Sequence, residues 1–190
     1  AHAAGFSVVT GQPEQAPGLD GIPSYLVIHR DGKYFVEIPE AGLPKTASMP
    51  LTKRDPNNSQ HFVILGGGPA GLNCAETLRQ SGFSGRVTVV TSEDLIPYDR
   101  TLLSKALPMV DIRSKVLRPA EFLSEAEIDF KLSSKATEVN RVAKRVTLES
   151  GEVINYDKLC IATGSKARQP TMPGANLQGV HVLRTGADQE

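Results

Sequence analysis

The chain has 190 residues, 39% of them hydrophobic and 22% charged, a composition that supports a packed core and argues against wholesale disorder. Lysine plus arginine number 21 and aspartate plus glutamate number 21, so no overall field draws the chain to nucleic acid or to an anionic membrane. No apolar run is long enough for a membrane span, and no basic-then-apolar leader is visible.

The sequence opens on Ala1-His2-Ala3, which reads as a fragment or a processed product, so missing targeting signals carry little weight. The two cysteines, Cys74 and Cys160, are too few for a disulfide framework and suit a reducing, intracellular compartment, cytoplasmic or mitochondrial. Cys74 falls inside a predicted helix and Cys160 in a predicted buried strand, and both read as small core residues.

In chain order, residues 6–9, 25–29 and 33–38 are β-rich runs, and Asp31-Gly32 between the last two is a hairpin signal. Residues 1–40 are too few to bury a core of their own and read as the end of a β domain. Residues 41–60 are polar, with Pro44, Pro50 and Pro56, and read as a linker. At 61–65 an apolar strand begins a second region, 61–190. A helix is predicted from Pro69 to about Gln80, where Pro69 suits the first turn and Gly82 a stop. Strands follow at 86–91, 128–132, 136–139, 145–148, 152–154 and 158–162, with a short helix over 119–126. Strand–helix–strand order predicts an α/β, Rossmann-like parallel sheet, with the later pieces as an antiparallel meander against it.

Gly66-Gly67-Gly68-Pro69-Ala70-Gly71 satisfies G-x-G-x-x-G between the strand and the helix. The mechanism assigns Gly66 to the tight turn, Gly68 to close approach of a pyrophosphate, and Gly71 to helix–strand packing. Pro69 and Ala70 open the helix, whose free N–H groups and dipole favour phosphate. Glu93, about 20 residues on, can accept hydrogen bonds from ribose hydroxyls. The plain alternative is a glycine-rich turn with a solvated glutamate.

This fingerprint does not separate FAD from NAD. The segment Leu95-Ile96-Pro97-Tyr98-Asp99-Arg100-Thr101-Leu102-Leu103-Ser104-Lys105 resembles L-P-Y-x-R-P-P-L-S-K of the ferredoxin/rubredoxin reductase and apoptosis-inducing-factor-like flavoproteins, within the FAD-dependent pyridine nucleotide-disulphide oxidoreductases. Tyr156-Asp157-Lys158-Leu159-Cys160-Ile161-Ala162-Thr163-Gly164-Ser165-Lys166-Ala167-Arg168 resembles their Y-D-x-L-x-x-A-T-G-S-x-P-R. The resemblance implies FAD contacts at Glu93, Arg100, Lys105, Ala136, Ala162, Thr163, Gly164 and Arg168. Thr101-Leu102 and Ala167 stand where that family has prolines, which loosens those loops without removing a named cofactor group. Arg100, Lys105 and Arg168 have the alternative reading of surface cations.

Relatives with a dithiol beside the flavin need neighbouring cysteines, and Cys74 and Cys160 are far apart in sequence, which disfavours that chemistry. The resemblance therefore implies hydride transfer from NADH or NADPH to FAD, then single electrons to an iron–sulfur acceptor, in cis or on a partner. It also implies that residues 61–190 stop before the nicotinamide-binding insertion, because 180–188 resembles the connection to it and no second glycine fingerprint follows.

The N-terminal stretch, with Phe6, Thr10 and Gly11, resembles C-P-x-H-G-x-x-F-x-x-x-T-G of Rieske domains. A Rieske [2Fe-2S] cluster takes two cysteines and two histidines, so His2 would be the one metal ligand in this chain and Ala3 replaces the usual glycine. A terminal histidine without a metal is the other reading. Two further functions stay open: a non-catalytic apoptosis-inducing-factor-like signalling or structural protein, and an NAD-only module. Arg100, Lys105 and Ala162-Thr163-Gly164 speak against the last.

Overall fold

A computed structural model describes residues 4–15, 18–38, 40, 47, 49–105 and 111–189. The chain divides into two units, Ala1–Pro50 and Leu51–Glu190.

In the first unit, β1 (Val27–Arg30) and β2 (Lys33–Val36) form an antiparallel hairpin, with Val27 opposite Val36 and Arg30 opposite Lys33. Asp31 and Gly32 both take positive φ, 51° and 70°. That is the signature of the two-residue turn whose twist matches the flanking strands. The expected strand at 6–9 does not form. Only Phe6 bridges, to Pro13, while Val8 and Val9 are 97% and 80% exposed. The chain instead reverses, with Gly11 N–H on Ser7 O at 2.8 Å and Ser7 N–H on Gln12 O at 2.9 Å. Gly11 sits at φ 72° with its Cβ position 1.9 Å from Ile22 O, so a tight turn overrides the local β propensity. His2 lies outside the described residues, and among the described residues no cluster of histidine, cysteine or carboxylate groups could hold a metal ion.

The second unit starts with β3 (His61–Leu65), α1 (Pro69–Gln80) and β4 (Arg86–Val90). After a long loop come α2 (Ala120–Glu125), β5 (Ile128–Lys131), β6 (Ala136–Asn140), β7 (Arg145–Leu148), β8 (Val153–Asn155) and β9 (Lys158–Ile161). Four strands in the order β5-β4-β3-β9 pair parallel throughout. The other three, β6-β7-β8, pair antiparallel.

The parallel sheet is covered on both faces, which explains why β3 is apolar without alternation. Val63 and Leu65 point to a cluster with Val146, Leu148, Ile154 and Tyr156 of the meander region. Ile64, between them, points the other way, to Ala75, Val87, Val89, Ala126 and Ile128, as period-two side-chain alternation demands.

Helix α1 begins at Gly68, which offers no side-chain cap, with Pro69 in the first turn. It ends in a Schellman arrangement. Phe83 N–H reaches Leu78 O at 2.9 Å, Gly82 N–H approaches Arg79 O, and Gly82 takes φ 89°, so orphan carbonyls are satisfied. Arg79 is fully buried and spends its guanidinium on main-chain carbonyls of Ala126, Phe83, Gly85 and Glu127 at 2.7–2.8 Å. A second buried cation, Arg118, grips Glu76 of α1 in a two-pronged ion pair, 2.9 Å on each side. These two arginines fix the helix against the loop that leads to β5. Among the described residues no helix is long and apolar enough to cross a membrane.

Candidate functional site

Parallel strands all end on one edge, and the loops beyond their carboxyl ends are where α/β sheets bind ligands. Here the ends of β3, β4 and β9, with the loop after β5, surround a cavity of about 860 Å³, large for a small-molecule site. The glycine motif forms its floor. Gly66 turns at φ 114°, and a Cβ there would lie 2.2 Å from Ala162 O. Its N–H donates to Val90 O at 2.8 Å, and Ala162 N–H to Leu65 O at 2.7 Å. A Cβ on Gly71 would lie 1.9 Å from Gly66 O, whereas one on Gly68 meets nothing within 4 Å. The three glycines therefore divide into two packing positions and one that faces open space.

The first intrahelical bond of α1 runs from Leu72 N–H to Gly68 O at 3.0 Å. The N–H groups of Ala70 and Gly71 precede it and are first-turn donors without a helical partner. Pro69 has no N–H to satisfy. The result is a concave end with donors, dipole and no side chain at Gly68, the chemistry of a phosphate cradle.

Across the cavity, Glu93 follows β4. Its position is set by Ser133 N–H on Glu93 O at 2.9 Å and by Ser134 N–H on Thr91 O at 2.7 Å. The carboxylate is mostly shielded and takes two charge-directed bonds, Tyr98 Oη to Oε2 at 2.6 Å and Arg100 Nη2 to Oε1 at 2.7 Å. Arg100 also donates to Arg184 O and stacks on the Tyr98 ring, 4.9 Å from its centroid. Burial, and then the bond to Glu93, push the Tyr98 phenol up to about 12. Beyond them, Asp188 accepts the N–H groups of Thr185 and Arg184, which hold its carboxyl below the usual range.

Gly66, Gly68, Pro69, Ala70, Glu93, Arg100, Ala136, Ala162, Thr163 and Gly164 all line this cavity. Gly71 lies behind it as a buried packing position. Lys105 and Arg168 are exposed and outside the lining, where Lys166 and Gln169 appear instead. Arg100 is committed to Glu93, so its charge sits at the expected ribose end. Sequence reasoning did not nominate Thr91, Ser134, Lys135, Arg184, Thr185 or Asp188, which also line the cavity. For Thr91 and Ser134 the signal was available, since the one ends and the other closely follows a predicted strand of the parallel sheet. For 184–188 there was none, because that wall is assembled by tertiary contacts.

The cysteines, distant in sequence, do meet. Cys74 of α1 and Cys160 of β9 flank the same apolar cluster as free thiols. Burial and the hydrogen bond between them push the Cys74 thiol up to about 11. Neither lines the cavity, and a raised thiol is a poor nucleophile at neutral pH.

The chain is similar to known proteins. Apoptosis-inducing factor 3 of Mus musculus is 32% identical over 193 residues, covering 98% of this chain and 32% of that protein. Rhodocoxin reductase of Rhodococcus erythropolis is 42% identical over 131 residues, 68% of this chain and 31% of that protein. The crystal structure of NADH:rubredoxin oxidoreductase from Clostridium acetobutylicum superposes with a TM-score of 0.62 at 30% identity, over 70% of this chain and 34% of that one. The chain thus spans about a third of the length of the curated relatives it matches. Residues 60–190, which hold the glycine turn, Glu93 and the Ala162-Thr163-Gly164 edge, match the family model described as pyridine nucleotide-disulphide oxidoreductase; the chain belongs to that family.

Proposed function

We propose that Leu51–Glu190 binds FAD as part of an oxidoreductase that takes hydride from NADH or NADPH and passes single electrons to an iron–sulfur acceptor, in cis or on a partner. The observation that carries this reading is the division of labour among the glycines. Cβ positions at Gly66 and Gly71 are closed by backbone at 2.2 and 1.9 Å, while one at Gly68 meets nothing within 4 Å. At Gly68 that open position lies beside the first-turn amides of α1 and on the cavity wall, where it leaves room for a phosphate.

The residues present suit an adenine dinucleotide. The first-turn amides of α1 would hold the pyrophosphate, and Glu93 would accept ribose hydroxyls on the lone pairs that Tyr98 and Arg100 leave free. Ala136 and the Ala162–Gly164 edge would supply main-chain contacts, with Arg100 as the cationic contact in the cavity; Lys105 and Arg168, exposed outside the lining, would reach the cofactor only beyond it. Bound FAD supplies two-electron acceptance from a nicotinamide and one-electron release. The chain's part is to bind, orient and shield. For the acceptor, the support is that matched relatives carry the names rhodocoxin reductase and NADH:rubredoxin oxidoreductase.

For residues 1–40 of the first unit the proposal is a portion of a Rieske domain, with His2 as one cluster ligand, and residues 41–60, which cross the division between Pro50 and Leu51, are proposed as the linker. Its support is the hairpin of β1 and β2 after the turn at Gly11, together with a match to apoptosis-inducing factor 3 across 98% of the chain.

Titration of FAD with the 190-residue chain, followed by flavin fluorescence, tests the cofactor. Saturable quenching, competed by ADP and not by nicotinamide mononucleotide, is expected. Unchanged fluorescence at saturating protein would overturn the reading.

A further inference from the structure

Tyr98 is not among the residues that the motifs nominate, yet its hydroxyl joins three parts of the site. The Gly186 N–H donates to Tyr98 Oη at 3.0 Å, and Tyr98 donates to Glu93 Oε2 at 2.6 Å. An amide can only donate, so the one phenolic proton is committed to the carboxylate. The two bonds run head to tail, each polarising the next. Tyr98 is 3% exposed, so its side chain is shielded from water. Gly186 is seated closely, since a Cβ there would meet Leu95 at 3.0 Å and Ile112 at 3.2 Å. Arg100 adds a parallel strut, holding Glu93 Oε1 with one nitrogen and Arg184 O with another. Both carboxylate oxygens are thereby tied to one short stretch, 184–188, which Asp188 folds on itself through Arg184 and Thr185.

We propose that Tyr98 is a positioning residue that couples the Glu93 carboxylate to residues 184–188, so that a ribose diol held by Glu93 and the ordering of that stretch beside the cavity stabilise each other. This rests on the dinucleotide reading given above. Glu93 is in place for a ribose only while the Tyr98 and Arg100 struts are made. A ligand that selects this conformer raises its population, and the same coupling appears in reverse as tighter binding when 184–188 is ordered. A tyrosine serves where phenylalanine does not, because the ring packs equally well in either and only the hydroxyl bridges.

The test is a cycle of Tyr98→Phe and Glu93→Ala in the 190-residue chain, read by FAD affinity, with amide exchange at Gly186 measured in parallel. Tyr98→Phe is expected to weaken FAD about tenfold in the wild-type background, the scale of one hydrogen bond to a charged group. In the Glu93→Ala background the same change is expected to cost no more than about twofold. Gly186 exchange is expected to slow about tenfold or more when FAD is added to wild type, an arm that needs no variant. An equal loss in both backgrounds, or Gly186 exchange unaffected by FAD, would overturn the coupling while leaving the cofactor reading intact. A wild-type chain that does not bind FAD overturns both, and is recognised before any variant is made.

Discussion

Gly71 packs so closely on Gly66 that a methyl group on the former would stand 1.9 Å from the carbonyl oxygen of the latter. Three residues earlier, Gly68 has an extended backbone, φ −86° and ψ −174°, with open space where its side chain would be. Residues of one motif are thus held to glycine by different forces, and substitution should separate them. Gly71→Ala must move backbone and should cost about 3 kcal/mol or more of stability. Gly66→Ala adds strain at φ 114° to a 2.2 Å clash and should be as severe. Gly68→Val should leave the melting temperature nearly unchanged and weaken FAD at least about tenfold, because the branched side chain fills the phosphate cradle. Thermal unfolding and flavin fluorescence on the three variants measure both effects.

Arg79 offers a test of the scaffold apart from the site. Its guanidinium replaces water for four main-chain carbonyls around the ends of α1 and α2. Arg79→Met keeps much of the apolar stem but orphans those acceptors, each of which carries a desolvation cost. Urea denaturation should show a loss of about 3 kcal/mol or more with little change in slope. Loss near zero would mean that the carbonyls find other donors.

The Tyr98 phenol supplies a prediction at high pH. Its value is raised to about 12 from an ordinary 10.0, so the folded state favours the protonated form. That contribution is complete below about pH 10 and is lost as the pH climbs through 12, and its full size is on the order of 2 kcal/mol. In a phenolate absorbance titration of the folded chain, one tyrosine should ionise near 12, and Tyr98→Phe should remove that step. A variant whose titration matches wild type would contradict the buried bond to Glu93.

Much of the second unit was legible in the sequence for a physical reason. The parallel sheet is covered on both faces, so 62–65 and 86–90 are rich in apolar β-branched and aliphatic residues without strict alternation, and α1 is bracketed by Pro69 and Gly82, whose backbone limits leave few alternatives. The glycine turn was equally plain, since its spacing follows from one strand, one turn and one helix. The stretch 6–9 was misread because Phe-Ser-Val-Val carries β propensity, whereas Gly11 at positive φ decides the local path. Tyr98, inside the 95–105 segment, and 184–188, inside the 180–188 connection, were not nominated as site residues because their role lies in contacts spanning 88 positions, which no local pattern encodes. The meeting of Cys74 and Cys160 is of the same kind, a consequence of α1 lying against β9.

In the proposed function the first-turn amides of α1 hold the phosphates of an adenine dinucleotide. Hydrogen exchange of Ala70 and Gly71, residue by residue, with and without FAD, tests it most directly. Strong protection of these two amides on adding FAD, lost in Gly68→Val, is the predicted result. FAD that binds while Ala70 and Gly71 exchange as fast as in the free chain would contradict it.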